Sequence, residues 1–177
     1  MSTMAATSPR PCMYLVITNI SKRNNIRSLL QTAAAFGCIE IFVVGQRTFD
    51  FGGESEDVPK SLTKHIQEAP MPITRFDKWD ECVTHLKERN IALCGVEIHE
   101  DAQNIDDFWL PNQSVAFLMG NEGQGIHEKH MASCDAFCKI SQYGGGTASL
   151  NVNVAASVVL HRYHLKLLEA CCATTAE

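Results

Sequence analysis

Short apolar runs alternate along this chain with longer segments that are apolar on one side only. The short runs are rich in β-branched or aromatic residues, which predicts buried strands; they lie at residues 13–18, 39–45, 73–76, 91–98, 115–119 and 136–140. The longer segments repeat apolar residues at helical spacing, which predicts helices; they lie at residues 25–36, 78–89 and 149–168. Two shorter helices are predicted at residues 60–68 and 126–132. Because strands and helices alternate from end to end, we predict an α/β fold, a mostly parallel sheet with helices on both faces.

The same pattern predicts one domain, at residues 13–170. The 177 residues are 45% hydrophobic and 20% charged, as in an ordinary globular domain. Residues 1–12 are small and polar and lack the apolar core of a secretory signal, so we expect a disordered N-terminal tail. Residues 171–177 are expected to form a C-terminal tail. No apolar run reaches the length of a membrane span, so we expect a cytoplasmic protein with no membrane partner, leaving a nuclear or organellar location open.

Charge, cysteines and histidines narrow the function classes. A formal net charge of −5 argues against a general nucleic-acid coat protein but leaves room for a local basic site. The eight cysteines show no C-x-x-C pair, so we expect reduced thiols rather than disulfides. The histidines form only loose pairs without a carboxylate or cysteine at metal spacing, so we expect no metal site.

In the last third of the chain, two predicted strands lead directly into polar loops that contain glycines. Loops at the carboxyl ends of strands are where open α/β sheets bind ligands, and Asn121, Glu122, Ser149 and Asn151 lie at the mouths of these loops. The first loop matches neither the dinucleotide fingerprint nor the P-loop. The second partly mimics the dinucleotide fingerprint as G-x-G-x-x-S, but no predicted strand follows its helix to complete a βαβ unit. Glu122 is either a site residue or an acid at a helix N-terminus, and Ser149 is either a site residue or a helix N-cap.

A basic cluster lies at the start of the first predicted helix. It consists of Lys22, Arg23 and Arg27. One interpretation is a solvated basic turn. The other is a site where these cations, together with the N–H groups of the helix start, bind an RNA phosphate.

Three segments resemble, in order, the three motifs of one family. They are residues 25–37 (NIRSLLQTAAAFG), 117–126 (FLMGNEGQGI) and 140–156 (ISQYGGGTASLNVNVAA). The chain resembles SPOUT-class methyltransferases of the SpoU/TrmH type, which methylate the ribose 2′-hydroxyl of RNA. The resemblance covers almost everything after residue 12; its second and third segments are highly specific, and its first is altered.

This resemblance implies a fold, a cofactor and partners. The fold would be the SPOUT fold with a deep C-terminal trefoil knot, and the protein would be a homodimer. The cofactor would be S-adenosylmethionine, held near Glu97, Gly120, Ile140, Ser149 and Leu150, with the glycines leaving room for it against the backbone. The substrate would be RNA, with tRNA favoured and rRNA possible.

The chain departs from the family pattern at one catalytic position. The motif-one arginine, which in the family is proposed to assist deprotonation of the ribose hydroxyl, falls on Gln31, a neutral residue. Arg27 lies one helical turn earlier on the same edge, so we hypothesise that it reaches the same site. Together with the loop residues, the candidate catalytic residues are Asn25, Arg27, Gln31, Glu122, Ser149 and Asn151.

Two other functions remain open at this point. The change at Gln31 is also compatible with a catalytically impaired SPOUT protein that binds RNA or S-adenosylmethionine. A Rossmann-like nucleotide-binding protein is a weaker alternative, because both nucleotide fingerprints fail.

Overall fold

The computed structural model describes residues 10–52, 55–62, 71–121, 123–144 and 149–174. The strands β1 to β7 are, in chain order, Met13–Thr18, Glu40–Val44, Ile73–Phe76, Ile91–Val96, Gln103–Asn104, Ser114–Met119 and Ala136–Lys139. The helices α1 to α4 are Arg23–Ala35, Trp79–Glu88, Glu128–Met131 and Val152–Thr174. No helix within these ranges is long and apolar enough to cross a membrane.

The strands form one parallel sheet in the order β3-β2-β1-β6-β4-β7-β5. This confirms the predicted α/β architecture. Since all pairs are parallel, every strand ends at the same edge of the sheet, and loops that are distant in sequence meet there. The two-residue strand β5 was not predicted, because a strand this short and polar is defined only by its pairing with β7.

Helices cover both faces of the sheet, and this explains the continuous apolar runs of the central strands. Leu15 and Ile17 of β1 pack in the core cluster that includes α1 and α4, whereas Tyr14 and Val16 pack in the cluster that includes α2. Successive strand residues point to opposite faces. All six residues of β1 are therefore buried, as expected for a parallel sheet that is covered on both sides.

Helix α1 ends as its sequence predicts. Gly37 adopts a φ of 81°, which favours glycine, and its N–H donates to the Ala34 carbonyl. The next N–H, from Cys38, reaches back to the Ala33 carbonyl at 2.9 Å. These two bonds are those of a Schellman motif, so the polypeptide turns sharply from α1 into β2.

Helix α4 differs from the prediction at both ends. It begins at Val152 rather than at residue 149, because Asn151 is the N-cap. Asn151 Oδ1 accepts from the backbone N–H groups of Asn153 at 2.9 Å and Val154 at 3.4 Å. Ser149 as N-cap is therefore wrong. The helix ends at Thr174, so its last turn extends into the segment 171–177 that was expected as a tail.

Parts of two other predictions lie outside the described residues. Of the expected N-terminal tail, residues 1–9 fall outside. Of the helix predicted at residues 60–68, residues 60–62 are helical and the remainder falls outside.

Candidate active site

A cleft opens at the carboxyl edge of the sheet, over the ends of β4, β6 and β7. The residue that follows each of these strands lines it: Glu97, Gly120 and Ile140. Ser149 and Leu150, just before α4, line it as well. The structure thus brings together all five residues that the resemblance assigned to the cofactor.

The cleft combines apolar walls with a polar rim. The apolar residues Val96, Met119 and Val152 line it, and so do the polar side chains of Asn121 and Gln142. Small-molecule sites share this composition, with apolar walls that hold the ligand and few polar groups that orient it. The apolar residues were not among the predicted site residues, although each lies within three positions of one that was.

Gly120 is required by the loop that follows β6. The loop folds back on itself. Asn121 N–H donates to the Gly125 carbonyl at 2.8 Å, and Gly125 N–H donates to the Asn121 carbonyl at 3.0 Å. A Cβ at position 120 would lie 2.9 Å from the Gly125 carbonyl carbon. The close packing of the loop against itself is thus one reason for a glycine here, and room for a cofactor stays a prediction.

The Glu97 side chain holds the same loop. Its carboxylate accepts from Ile126 N–H at 3.2 Å and from Ile98 N–H at 3.0 Å. Gly125 has a φ of 68°, and a Cβ there would lie 2.5 Å from Glu97 Oε2. Glu97 therefore links the ends of β4 and β6.

Asn121 joins this loop to the loop that follows β1. Its Nδ2 donates to the Asn19 carbonyl at 2.6 Å, and its Oδ1 accepts from Gly123 N–H at 2.9 Å. Asn121 was predicted to lie at the loop mouth, and its bridging role was not predicted. Glu122, a predicted catalytic residue, lies outside the described residues.

Asn25 and Asn151 connect the first motif to the third. Asn151 Nδ2 donates to Asn25 Oδ1 at 3.2 Å. Asn25 lies in the first turn of α1 and is only 9% exposed. A buried amide is held in one orientation by such bonds. Two predicted site residues that are far apart in sequence are therefore in contact beside the cleft.

The predicted phosphate-binding cluster is engaged with a loop. Arg23 donates to Asp57 Oδ1 at 2.9 Å and to the Thr48 carbonyl at 2.8 Å. Arg27 donates through Nε to the Asp57 carbonyl at 2.8 Å, and through Nη2 to the Glu56 carbonyl. Both guanidinium groups therefore already bond to oxygen atoms of the loop and are not reserved for a phosphate. Lys22, by contrast, is exposed. The acidic residues of this polar loop were the available sequence signal, but their contact with the cluster was not predicted.

Gln31 lies one turn after Arg27 and is exposed. Its neighbour Thr32 is buried and donates to Asn153 Oδ1 of α4 at 2.8 Å. The helix edge that carries Arg27 and Gln31 therefore flanks the α1–α4 contact. A neutral amide at Gln31 supplies no positive charge to this edge.

Solved structures of known proteins share this fold. AviRb, a SpoU methyltransferase from Streptomyces viridochromogenes crystallised with S-adenosylmethionine, matches with a TM-score of 0.74 at 24% identity, covering 90% of this chain and 58% of its own. An RNA 2′-O ribose methyltransferase matches with a TM-score of 0.69 at 20% identity, covering 95% of this chain and 60% of its own.

Sequence comparison identifies the family. YacO of Bacillus subtilis, assigned to the TrmH family of tRNA/rRNA methyltransferases, is 28% identical over 155 residues, which are 86% of this chain. This chain spans 58% of the length of that relative. The model of the SpoU rRNA Methylase family matches residues 12–161, and the chain therefore belongs to that family.

Proposed function

We propose that this protein transfers the methyl group of S-adenosylmethionine to a ribose 2′-hydroxyl of RNA, with tRNA the favoured substrate and rRNA the second. One observation carries the proposal: the segments that resemble the three family motifs meet at one cleft. The loops after β6 and β7 line it, and the Asn151–Asn25 bond attaches α1 to it. The names of the relatives, which include an enzyme bound to S-adenosylmethionine and a ribose methyltransferase, support the choice of chemistry.

The residues of the cleft fit S-adenosylmethionine. An adenine ring suits walls such as Met119 and Leu150, and the amino-acid end suits polar groups such as Gln142 and Ser149. When bound, the cofactor supplies a methyl group already activated as a sulfonium. The protein therefore has to position the hydroxyl and favour its ionised form, rather than create a new electrophile.

Arg27 is the proposed cation beside the ribose hydroxyl. A guanidinium has five N–H donors, and the bonds to the Asp57 and Glu56 carbonyls use two of them. The remaining donors can bind the target phosphate and stabilise the developing alkoxide. We assign Asn25, Asn151 and Ser149 to orienting the nucleotide, and Lys22 and Arg23 to the neighbouring phosphates. Glu122 and Gln31 complete the proposed catalytic set.

We further propose that the protein acts as a homodimer through α4. Three large apolar side chains on this helix are exposed: Val154 by 48%, Leu165 by 38% and Leu168 by 50%. Their spacing of eleven and three residues places them on one side of a helix. An exposed apolar stripe of this kind is typical of a surface that packs against a second subunit.

A second candidate function is a catalytically impaired protein of the same fold. The observation in its favour is the neutral, exposed Gln31, together with the engagement of Arg27 by loop carbonyls. Such a protein would bind RNA or S-adenosylmethionine through the same cleft without transferring a methyl group.

Two assays distinguish these functions. Isothermal calorimetry with S-adenosylmethionine measures cofactor binding, which the enzyme requires and which the impaired protein shows only if the cofactor is its ligand. Transfer of a radiolabelled methyl group to unmodified RNA transcripts is expected only for the enzyme. Binding without transfer would favour the impaired protein, and absence of cofactor binding would rule out the enzyme and leave only an impaired protein that binds RNA.

A further inference from the structure

A second cleft opens at the same edge of the sheet, over the ends of β2 and β3. Gln46 and Arg47 lie just after β2, Arg75 lies in β3, and Asp77 follows it; all four line the cleft. The strand order places β1 between this cleft and the one proposed for the cofactor, which begins over β6. At about 4.8 Å per strand, β2 and β6, the nearest strands of the two clefts, are roughly 10 Å apart. The proposed methyl transfer does not use this second cleft.

Gln46 is the buried polar residue of the second cleft. The residue is only 6% exposed, and its side-chain Nε2 has no hydrogen-bond acceptor in the part of the chain that the structure describes. Buried amide donors are nearly always bonded, because an unsatisfied donor destabilises the fold. A ligand that offers an acceptor in the cleft would satisfy this donor.

Two guanidinium groups line the same cleft. Within the described ranges, neither Arg47 nor Arg75 forms an ion pair with a carboxylate. The Arg75 guanidinium lies 5.7 Å from the centre of the Phe51 ring, a cation–π contact that orients it. Unlike Arg23 and Arg27, these arginines have guanidinium donors that no other described residue uses, so a ligand could take them.

Carboxylates complete the lining and restrict the ligand. Asp77 and Glu81 are exposed at the cleft, and Glu81 Oε2 accepts only a long bond of 3.3 Å from Lys78 N–H. A free phosphate would be repelled by these carboxylates, and a simple cation would be repelled by Arg47 and Arg75. The cleft suits a neutral, planar ligand with acceptors on one edge and donors on another.

Guanine has this arrangement of groups. Its O6 and N7 atoms accept bidentate bonds from arginine, and its N1–H and 2-amino groups donate to carboxylates. We infer that the second cleft binds a guanine base of the RNA substrate, a few nucleotides away from the methylated ribose. Arg47, Arg75 and Gln46 donate to the acceptor edge, and Asp77 and Glu81 accept from the donor edge. This inference rests on the proposed function, since it assumes that RNA lies along this edge of the sheet.

The test is an NMR titration of the whole protein with GMP, IMP, AMP and inorganic phosphate at equal concentrations. GMP is expected to shift the Gln46 side-chain amide signals most. IMP, which lacks the 2-amino group, should bind several-fold more weakly, and AMP and phosphate should have little effect. Equal shifts with GMP, AMP and phosphate, or no shift at Gln46, would overturn the inference.

Variants separate recognition from folding. Arg47→Ala and Arg75→Ala should each weaken GMP binding roughly tenfold or more, whereas Arg10→Ala, which removes an exposed arginine elsewhere, should bind GMP as the wild type does. Gln46→Met replaces the unsatisfied amide with an apolar chain of similar length, so it should weaken binding without lowering the melting temperature. If the two arginine variants bind GMP normally, the inference is wrong.

The same preparations distinguish failure of this inference from failure of the proposed function. If the protein transfers methyl groups to RNA but discriminates no base at Gln46, only the guanine site is wrong. If it binds GMP selectively but neither binds S-adenosylmethionine nor transfers methyl groups, the proposed function is wrong, and the second cleft stands as a guanine site without the RNA substrate. Arg47→Ala is expected to raise KM for RNA and leave S-adenosylmethionine affinity unchanged.

Discussion

Asn151 Nδ2 lies 3.2 Å from Asn25 Oδ1, and this bond joins the start of α4 to the first turn of α1. The same Asn151 side chain caps α4 through its Oδ1. One amide therefore does two things that can be separated by mutation: it starts the helix that forms one wall of the cleft, and it fixes the helix that carries Arg27.

Substitution of Asn151 should separate these two roles. Asn151→Ala loses the cap and should destabilise the protein by about 1 kcal/mol in urea denaturation. Asn151→Asp keeps an acceptor for the helix N–H groups but has no donor for Asn25, so it should retain stability and lose methyl-transfer activity. Full activity in Asn151→Asp would show that the link to Asn25 is not needed.

Substitutions at Arg27 and Gln31 test whether Arg27 is the cation beside the ribose hydroxyl. Arg27→Ala should lower kcat for methyl transfer roughly a hundredfold, because one charge-stabilising group is lost, and Gln31→Arg in that background should restore part of the rate. Arg23→Ala is the matched control, since Arg23 also binds Asp57, and it should raise KM for RNA with little change in kcat. An Arg27→Ala protein with full kcat would eliminate Arg27 from catalysis.

The Arg89–Glu40 ion pair should contribute more stability than an exposed pair. Arg89 Nη1 and Thr74 Oγ1 each lie 2.5 Å from a Glu40 carboxylate oxygen, and the Glu40 side chain is only 10% exposed. Arg89→Ala leaves that carboxylate without its counter-ion and should cost about 2 kcal/mol in urea denaturation. The control is Arg162→Ala, which breaks an ion pair with Asp106 whose side chains are about half exposed and should cost less than about 1 kcal/mol. Equal losses in both variants would contradict this account.

His130 should make stability depend on pH. Partial burial, followed by the charges of His127 and Lys129, lowers the pKa of His130, whose ring stacks on Trp79 with centroids 4.0 Å apart. The native state therefore binds this proton less readily than the unfolded chain, so stability should fall as the pH drops below the ordinary pKa of histidine. His130→Phe keeps an aromatic ring without a titrating group and should flatten the dependence of melting temperature on pH. If the slope of melting temperature against pH is unchanged in that variant, groups other than His130 cause the pH dependence.

The sequence predicted the sheet well because its strands are buried on both faces and therefore appear as continuous apolar runs. The strand β1, for example, has the same bounds in the prediction and in the structure. The helix end at Gly37 was also predicted correctly. A residue just after a helix often adopts a positive φ, which favours glycine, and this preference is local in the sequence.

Features that depend on contacts between distant residues were not predicted. Nothing local distinguishes Ser149 from Asn151 as the N-cap, and only the folded geometry shows that Asn151 is used. The bonds from Arg23 and Arg27 to the loop around Asp57 span about thirty positions and leave no periodic signal. The trefoil knot implied by the resemblance stays a prediction, as does the role of Glu122.

The most direct test of the central claim is a ribose-methylation map of RNA from cells with and without this protein. Loss of one or more 2′-O-methyl sites in the deletion, restored by the wild-type gene and not by Asn151→Asp, is the result expected for an RNA ribose methyltransferase. Identical maps in tRNA and rRNA from the two cell lines would contradict the proposed function.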